Sequence, residues 1–249
     1  MMQYSWALYA REVKRFQKIL LDTLLSPIVS LLLYLSVFGV ILGNSFVFGI
    51  PYVSYVYVGL LTMSLVNASF SNPAFALVIG KNLGTNVDLQ VVPLRPFGIA
   101  FAYAFAAATR GMLTLVVAVL ITVWFVPSIT ILNPLLLIVT LVMTGLLFGC
   151  LGVIFGAYAK NFEALTFVTS FVLQPMIFLA GTFYPISSLP GFWQTVAAWN
   201  PVHHVMNAVR YSVFGISDSN VFVSYGVLVG LLGIVLVLSH VFTKKFLYR

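Results

Sequence analysis

Apolar positions in this chain run together in six long stretches, separated by breaks marked by proline or polar residues. They cover residues 24–43, 53–72, 98–125, 134–157, 164–184 and 222–242. Each holds at least 20 residues, and a helix of that length spans a hydrocarbon core of ~30 Å. A spanning backbone must satisfy its own N–H and C=O groups, which a helix does within one segment. A barrel would instead alternate polar and apolar positions over short strands. The pattern predicts an all-α integral membrane protein with six spans, forming one domain over residues 1–249.

Three segments break the pattern. Residues 1–22 carry Tyr9, Val13, Phe16 and Leu20 at intervals of four, three and four, with Arg11, Arg15 and Lys18 on another face. That is an amphipathic basic helix suited to a membrane interface. It reads as an anchor that sets topology and as a lever toward a cytoplasmic partner, with Lys14 and Arg15 as contacts. It lacks the short apolar core and small-residue cleavage site of a removable signal, so the chain is expected to insert whole. Between spans two and three, residues 73–96 form a long polar connection. Here Leu83, Val87 and Val91 make a short apolar stripe, and Pro93 and Pro96 end any helix. Such a stripe must bury itself on its own bundle or in a socket on another protein.

The third segment, 185–220, is too long for a hairpin and too apolar for a solvated loop. Residues 191–199 read as a short amphipathic helix containing Phe192 and Trp193. Asn200-Pro201 breaks it, and 202–214 offer a second helix with Val205, Val209 and Val213 at intervals of four. Two short helices joined by a break suggest a re-entrant hairpin and a candidate outer gate. An interfacial lid with tryptophan anchors is the simpler alternative.

Composition sharpens this picture. Hydrophobic residues make up 61% and charged residues 7% of the 249, far below the roughly one quarter charged in soluble domains. The net charge is +7, and its placement points to membrane topology, not to nucleic acid. With the N-terminus inside, ten of the twelve Lys and Arg residues are cytoplasmic, as the positive-inside rule requires. Both termini are therefore predicted to be cytoplasmic. Arg210 lies in an outer connection. With the outer end of the long third span near Phe125, Arg110 lies about one turn inside the inner membrane boundary, where it either snorkels to headgroups or faces a helix partner. The one cysteine, Cys150, sits in an apolar run and reads as a packing residue.

Chemistry-bearing motifs are scarce. Gly80-Lys81 resembles the end of a phosphate loop, but position 75 is Phe75 and position 82 is Asn82, which fails the G-x-x-x-x-G-K-[ST] pattern. His203-His204 has no Cys, Asp or Glu nearby, and neighbouring helical residues point apart. No hydrolytic triad can be drawn. No catalytic residue, cofactor or metal is therefore expected on this chain. The span interiors hold no acidic residue, which disfavours ion-coupled transport and favours energy supplied by another chain. Polar groups at lipid depth prefer cavity or protein faces. On that ground Ser64, Asn67 and Gln174, with Phe171 and Phe178, are candidate pathway residues, or partners for a neighbouring helix.

Several blocks together resemble the bacterial ABC-2 type transporter permeases, nearest in appearance to the inner-membrane YadH-like group. They are Asp88-Leu89-Gln90-Val91-Val92-Pro93, Lys160-Asn161-Phe162-Glu163, Gly181-Thr182-Phe183-Tyr184-Pro185, Leu189-Pro190-Gly191-Phe192-Trp193, Asn200-Pro201 and Arg210-Tyr211. One departure is the uncharged run Leu83-Gly84-Thr85-Asn86, where the family often carries charge. The resemblance implies a homodimer in the bacterial inner membrane with two copies of a separate P-loop ATPase, which binds the ATP and Mg. It also implies coupling through the 73–96 loop, with Leu83, Gly84, Val87, Asp88, Leu89, Val91 and Pro93. Finally, it implies an outer gate of re-entrant helices that includes Pro185, Pro190, Phe192, Trp193, Asn200, Pro201 and Arg210. The expected activity is export of an amphipathic, lipid-like, drug or lipid-linked glycan substrate. The alternatives are a non-transporting membrane scaffold and an ion-coupled secondary transporter.

Overall fold

The computed structural model describes residues 2–18, 20–42, 45–84, 95–126 and 129–247. Among these residues the helices are α1 (Met2–Lys18), α2 (Leu20–Leu42), α3 (Tyr52–Asn82), α4 (Pro96–Thr122), α5 (Pro134–Tyr158), α6 (Phe162–Leu179), α7 (Gly191–Ala198), α8 (Pro201–Phe214) and α9 (Val221–Leu247). A two-residue antiparallel hairpin, β1 (Phe46–Val47) with β2 (Ile50–Pro51), joins α2 to α3. Its turn places Phe48 and Gly49 at φ of 51° and 79°, the double left-handed geometry favoured in tight hairpins.

Five helices are long and apolar enough to cross a membrane: α3, α4 with its short extension to Phe125, α5, α6 and α9. α2 contributes the shorter apolar stretch Leu24–Gly39. The chain is thus an all-α membrane protein. Its centre is α3, which buries residues on every side from Tyr52 to Gly80. α4 and α5 close on it through small residues. Gly145, Gly149, Gly152 and Gly156 recur at intervals of four, three and four along α5. A Cβ at Gly149 would meet the Ala104 carbonyl oxygen at 2.9 Å, and one at Gly156 would meet Ala74 Cα at 2.8 Å. The bare backbone lets three helices approach closely, the usual device where lipid supplies no hydrophobic drive between helices.

Hydropathy predicted an end to the second span at residue 72, but α3 continues through Pro73 to Asn82. Proline removes one ladder bond, and tertiary contacts make good the loss. Pro73 packs on Gly152 and Ala74 on Gly156. Near the helix end Lys81 Nζ donates to the carbonyls of Gly156, Ala157 and Ala159 at 2.9, 2.8 and 2.6 Å, capping the C-terminus of α5. The predicted 73–96 loop therefore begins as helix.

The fifth span differs in the other direction. It stops at Leu179, not near Tyr184, after a π-helical turn at Thr169–Leu173. Pro175 follows this turn, and the widened turn accommodates its ring and its missing N–H. Gly181, at φ 83°, then reverses the chain.

α1 runs alongside the first half of α4. Ser5 abuts Gly98, Leu8 packs with Ile99 and Tyr103, and Tyr9 Oη lies 3.2 Å from Thr109 Oγ1. Its buried face is Leu8, Glu12 and Phe16, rotated from the predicted Tyr9–Val13–Phe16 stripe. The apolar side of this helix faces α4, because α4 offers Ala and Tyr surface at the matching four-residue spacing.

Candidate functional site

A cleft of about 220 Å³ opens between α2, α3 and α6. Ser26, Pro27, Ser30, Leu31 and Tyr34 line it from α2, Leu60, Met63, Ser64 and Asn67 from α3, and Gln174 from α6. Gln174 Nε2 donates to Asn67 Oδ1 at 3.4 Å, and Ser64 Oγ donates to the Leu60 carbonyl at 3.0 Å. Three of the sequence-predicted pathway residues, Ser64, Asn67 and Gln174, therefore share one wall. Among the described residues, no carboxylate, ammonium, guanidinium or imidazole lines the cleft.

Phe178 stacks on Phe183, 5.5 Å between ring centres, and Phe183 in turn contacts Tyr34 and Phe38. It belongs to an aromatic cluster beside the cleft. Phe171 does not join them. It is 70% exposed on α6 and stacks on Phe167. Ser26, Ser30 and Tyr34 were missed from sequence, although their spacing of four along a proline-containing helix is a signal that they share one face.

On the predicted outer side, Pro185 and Pro190 cap short helical turns, and Phe192 and Trp193 form an exposed edge-to-face pair. Asn200 caps α8: its Oδ1 accepts from Val202 N at 3.0 Å, and its Nδ2 donates to the Met176 carbonyl at 2.6 Å. Pro201 occupies the first helical position, where its missing N–H costs nothing.

Arg210 is enclosed. Its Nη2 donates to the carbonyls of Gly181 and Thr182 at 2.7 and 3.1 Å, and its Nη1 lies 3.8 Å from Asp218 Oδ2. Its guanidinium sits 3.7 Å from the centre of the Tyr55 ring, and Tyr55 Oη donates to the same Asp218 oxygen at 3.3 Å. Burial pushes the Asp218 carboxyl above the usual range, against the pull of Arg210. His203, His204 and Asn207 extend the polar seam to Ser219 and Ser224. α8 is thereby tied to α3, to the turn after α6 and to the start of α9. The predicted gate residues thus divide, with Asn200, Pro201 and Arg210 turned inward and Phe192 and Trp193 turned outward.

At the other end, Lys14 is exposed, and Leu83 is 71% exposed beside Gly84, whose φ is 70°. Val87, Asp88, Leu89, Val91 and Pro93 lie outside the described residues. Arg15 turns inward, its Nη2 lying 2.8 Å from Glu12 Oε2 and donating to Asn72 Oδ1 at 3.4 Å. Arg110 Nη1 donates to that same oxygen at 3.1 Å. Arg11 Nη2 lies 3.5 Å from Glu12 Oε1 and donates to Tyr103 Oη at 3.4 Å. Arg110 thus faces a helix partner. Burial raises the Glu12 carboxyl above its ordinary value, opposed by Arg15 and Arg11. Sequence reasoning passed over Glu12. The signal was an acid between two arginines, in register with Leu8 and Phe16.

Residues 3–214 match the family described as ABC-2 type transporter. The inner membrane transport permease YadH of Escherichia coli strain K12 is 31% identical over 235 residues, covering 92% of this chain and 91% of the relative. Nodulation protein J of Rhizobium leguminosarum bv. viciae is 27% identical over 237 residues, covering 90% and 88%. Nodulation protein J of Rhizobium meliloti strain 1021 is 26% identical over 223 residues, covering 85% and 82%.

Proposed function

This chain belongs to the ABC-2 type transporter family of membrane permeases, and from that premise we propose that it is the membrane subunit of an ATP-driven exporter in the bacterial inner membrane. Two copies form the pathway. A separate P-loop ATPase, also in two copies, binds ATP and Mg and drives them through the segment that starts at Leu83. The exported substrate is amphipathic, whether lipid-like, a drug or a lipid-linked glycan. α2 serves as the sixth span, both termini are cytoplasmic, and α7 with α8 forms the re-entrant outer closure.

The observation that carries this reading is the cleft between α2, α3 and α6. Ser64, Asn67 and Gln174 meet there at mid-helix depth, where hydrogen-bonding side chains favour a cavity or protein face over lipid. The cleft opens beside α6, whose apolar face stays uncovered within one chain, and a second copy facing it would complete a pathway. Closure of the ATPases would push on the inner end of α3. Because α3 packs on both α4 and α5, such a push would tilt these helices together.

Purification of the tagged chain from its native membrane in mild detergent tests the assembly. A P-loop ATPase should accompany it at one copy per permease. In that complex, Asn67→Ala with Gln174→Ala should lower substrate-stimulated ATP turnover and leave basal turnover intact. A chain that purifies alone, with no ATPase across several detergents, would overturn the proposal.

A further inference from the structure

Three guanidiniums converge where α1 meets α3 and α4. Arg15 and Arg110 donate to one oxygen, Asn72 Oδ1, while Arg11 and Arg15 share one carboxylate, Glu12. Among the described residues, Glu12 is the one carboxylate in contact with this group. Partly buried cations held this close repel one another and are costly without a counter-charge. The buried polar atoms left over include Arg110 Nε and Asn72 Nδ2, neither of which has a hydrogen-bond partner. Glu12 Oε2 has no hydrogen bond either but lies 2.8 Å from Arg15 Nη2, so one carboxylate faces three guanidiniums and the group is short of anionic acceptors. Arg11 and Arg15 keep half and about a third of their side-chain surface open, which leaves a route in from the surface.

Depth identifies the source of the anion. Twenty residues separate Tyr52 from Asn72 along α3, about 30 Å of helix, which matches the thickness of the hydrocarbon core. With Tyr52 at one face of the membrane, Asn72 reaches the headgroup layer of the other. On the six-span reading given above, that is the cytoplasmic leaflet. We propose that Arg11, Arg15, Asn72 and Arg110 form a binding site for a phosphate-bearing anion, supplied by the headgroup of an anionic phospholipid in the inner leaflet. The phosphate accepts from the open guanidinium nitrogens of Arg11 and Arg15, and its charge offsets that of Arg110 behind them. The lipid thereby pins α1 to α3 at the point where the inner extension of α3 begins. Guanidinium forks suit this geometry, because they match phosphate oxygens in pairs.

The test uses the purified permease, with its ATPase where the two remain together. Phosphatidylglycerol is titrated in detergent, bound lipid is counted by native mass spectrometry, and the shift in thermal unfolding is followed. Wild type should retain phosphatidylglycerol and gain thermal stability from it. Arg110→Gln and Arg15→Gln should each weaken that binding about tenfold, the loss of one charge-assisted contact. Arg15→Lys should retain most of it. Lys160→Gln, in the exposed turn between α5 and α6, should leave it unchanged. Unfolding without lipid identifies any variant that fails to fold, and Arg11→Gln, at the half-exposed edge of the site, then carries the comparison and should weaken binding likewise.

Equal phosphatidylglycerol binding by wild type, Arg110→Gln and Arg15→Gln would overturn the site. If millimolar inorganic phosphate stabilises wild type as fully as the lipid does, the lipid source is overturned. Loss of the ATPase from Arg110→Gln with lipid binding intact would overturn the lipid and give the arginines to a protein carboxylate. Phosphatidylglycerol retained by a permease that purifies without any ATPase would uphold this site while removing the exporter reading.

Discussion

Arg210 and Arg110 are both arginines set among apolar helices, the first buried and the second half-buried, and their surroundings are opposite. Arg210 has a carboxylate, two backbone carbonyls and the face of Tyr55 around it. Arg110 has one amide oxygen, which Arg15 also uses. A buried charge surrounded by complementary groups behaves as a fixed joint, because removing it strands every partner at once. A half-buried charge that shares a partner with a like charge is held less firmly, and a ligand can complete it. The region of α8 is therefore built as a latch, and the junction of α1, α3 and α4 as an incomplete socket.

Removing the latch should have the largest effect. Arg210→Met leaves Asp218 buried without its cation and two carbonyls without donors, at a cost of about 3–5 kcal/mol. Thermal unfolding of the purified permease in detergent should show the loss, and Arg210→Met with Asp218→Asn should recover part of it. A change below about 1 kcal/mol for Arg210→Met would mean that Arg210 is no joint. Next comes Asn72→Leu, which deletes the oxygen between Arg15 and Arg110. It should cost roughly 1–3 kcal/mol, read from the same transition.

Tyr55→Phe keeps the ring over Arg210 and removes only the hydroxyl bonded to Asp218. About 1 kcal/mol of destabilisation is expected, against about 2 kcal/mol for Tyr55→Leu, which also removes the cation–π contact. The smallest effect should be Arg110→Gln measured without anionic lipid, within about 0.5 kcal/mol of wild type. The amide can still donate to Asn72 while the repulsion with Arg15 disappears. If Arg110→Gln proves as damaging as Arg210→Met, the two regions are alike and the socket is already complete.

Much of the candidate site was legible one residue at a time. Ser64, Asn67 and Gln174 are polar residues in apolar runs, so lipid chemistry alone marks them as facing protein or a cavity. That they face one another was not legible, because Asn67 and Gln174 meet across 107 positions of sequence. Phe171 shows the limit: an aromatic residue at lipid depth suits a pathway or the lipid face equally well, and here it is exposed. Glu12 went unnoticed for the converse reason. An acid in a basic amphipathic helix looks solvated until Arg11, Arg15 and Tyr103 close around it.

The sequence by itself determined the membrane class, the approximate positions of the apolar helices, the asymmetry of the basic residues and the family. Hydration and lipid act on each segment locally, so these properties are written in composition and run length. The tertiary structure alone decided that α3 passes through Pro73, that α6 stops at Leu179, which face of α1 is buried, and that Arg210 reaches back to Gly181, Thr182 and Asp218. Each depends on contacts between distant segments. A glycine face on α5, a lysine cap and a carboxylate after α8 override the local preference, and hydropathy carries no record of which segment will supply them.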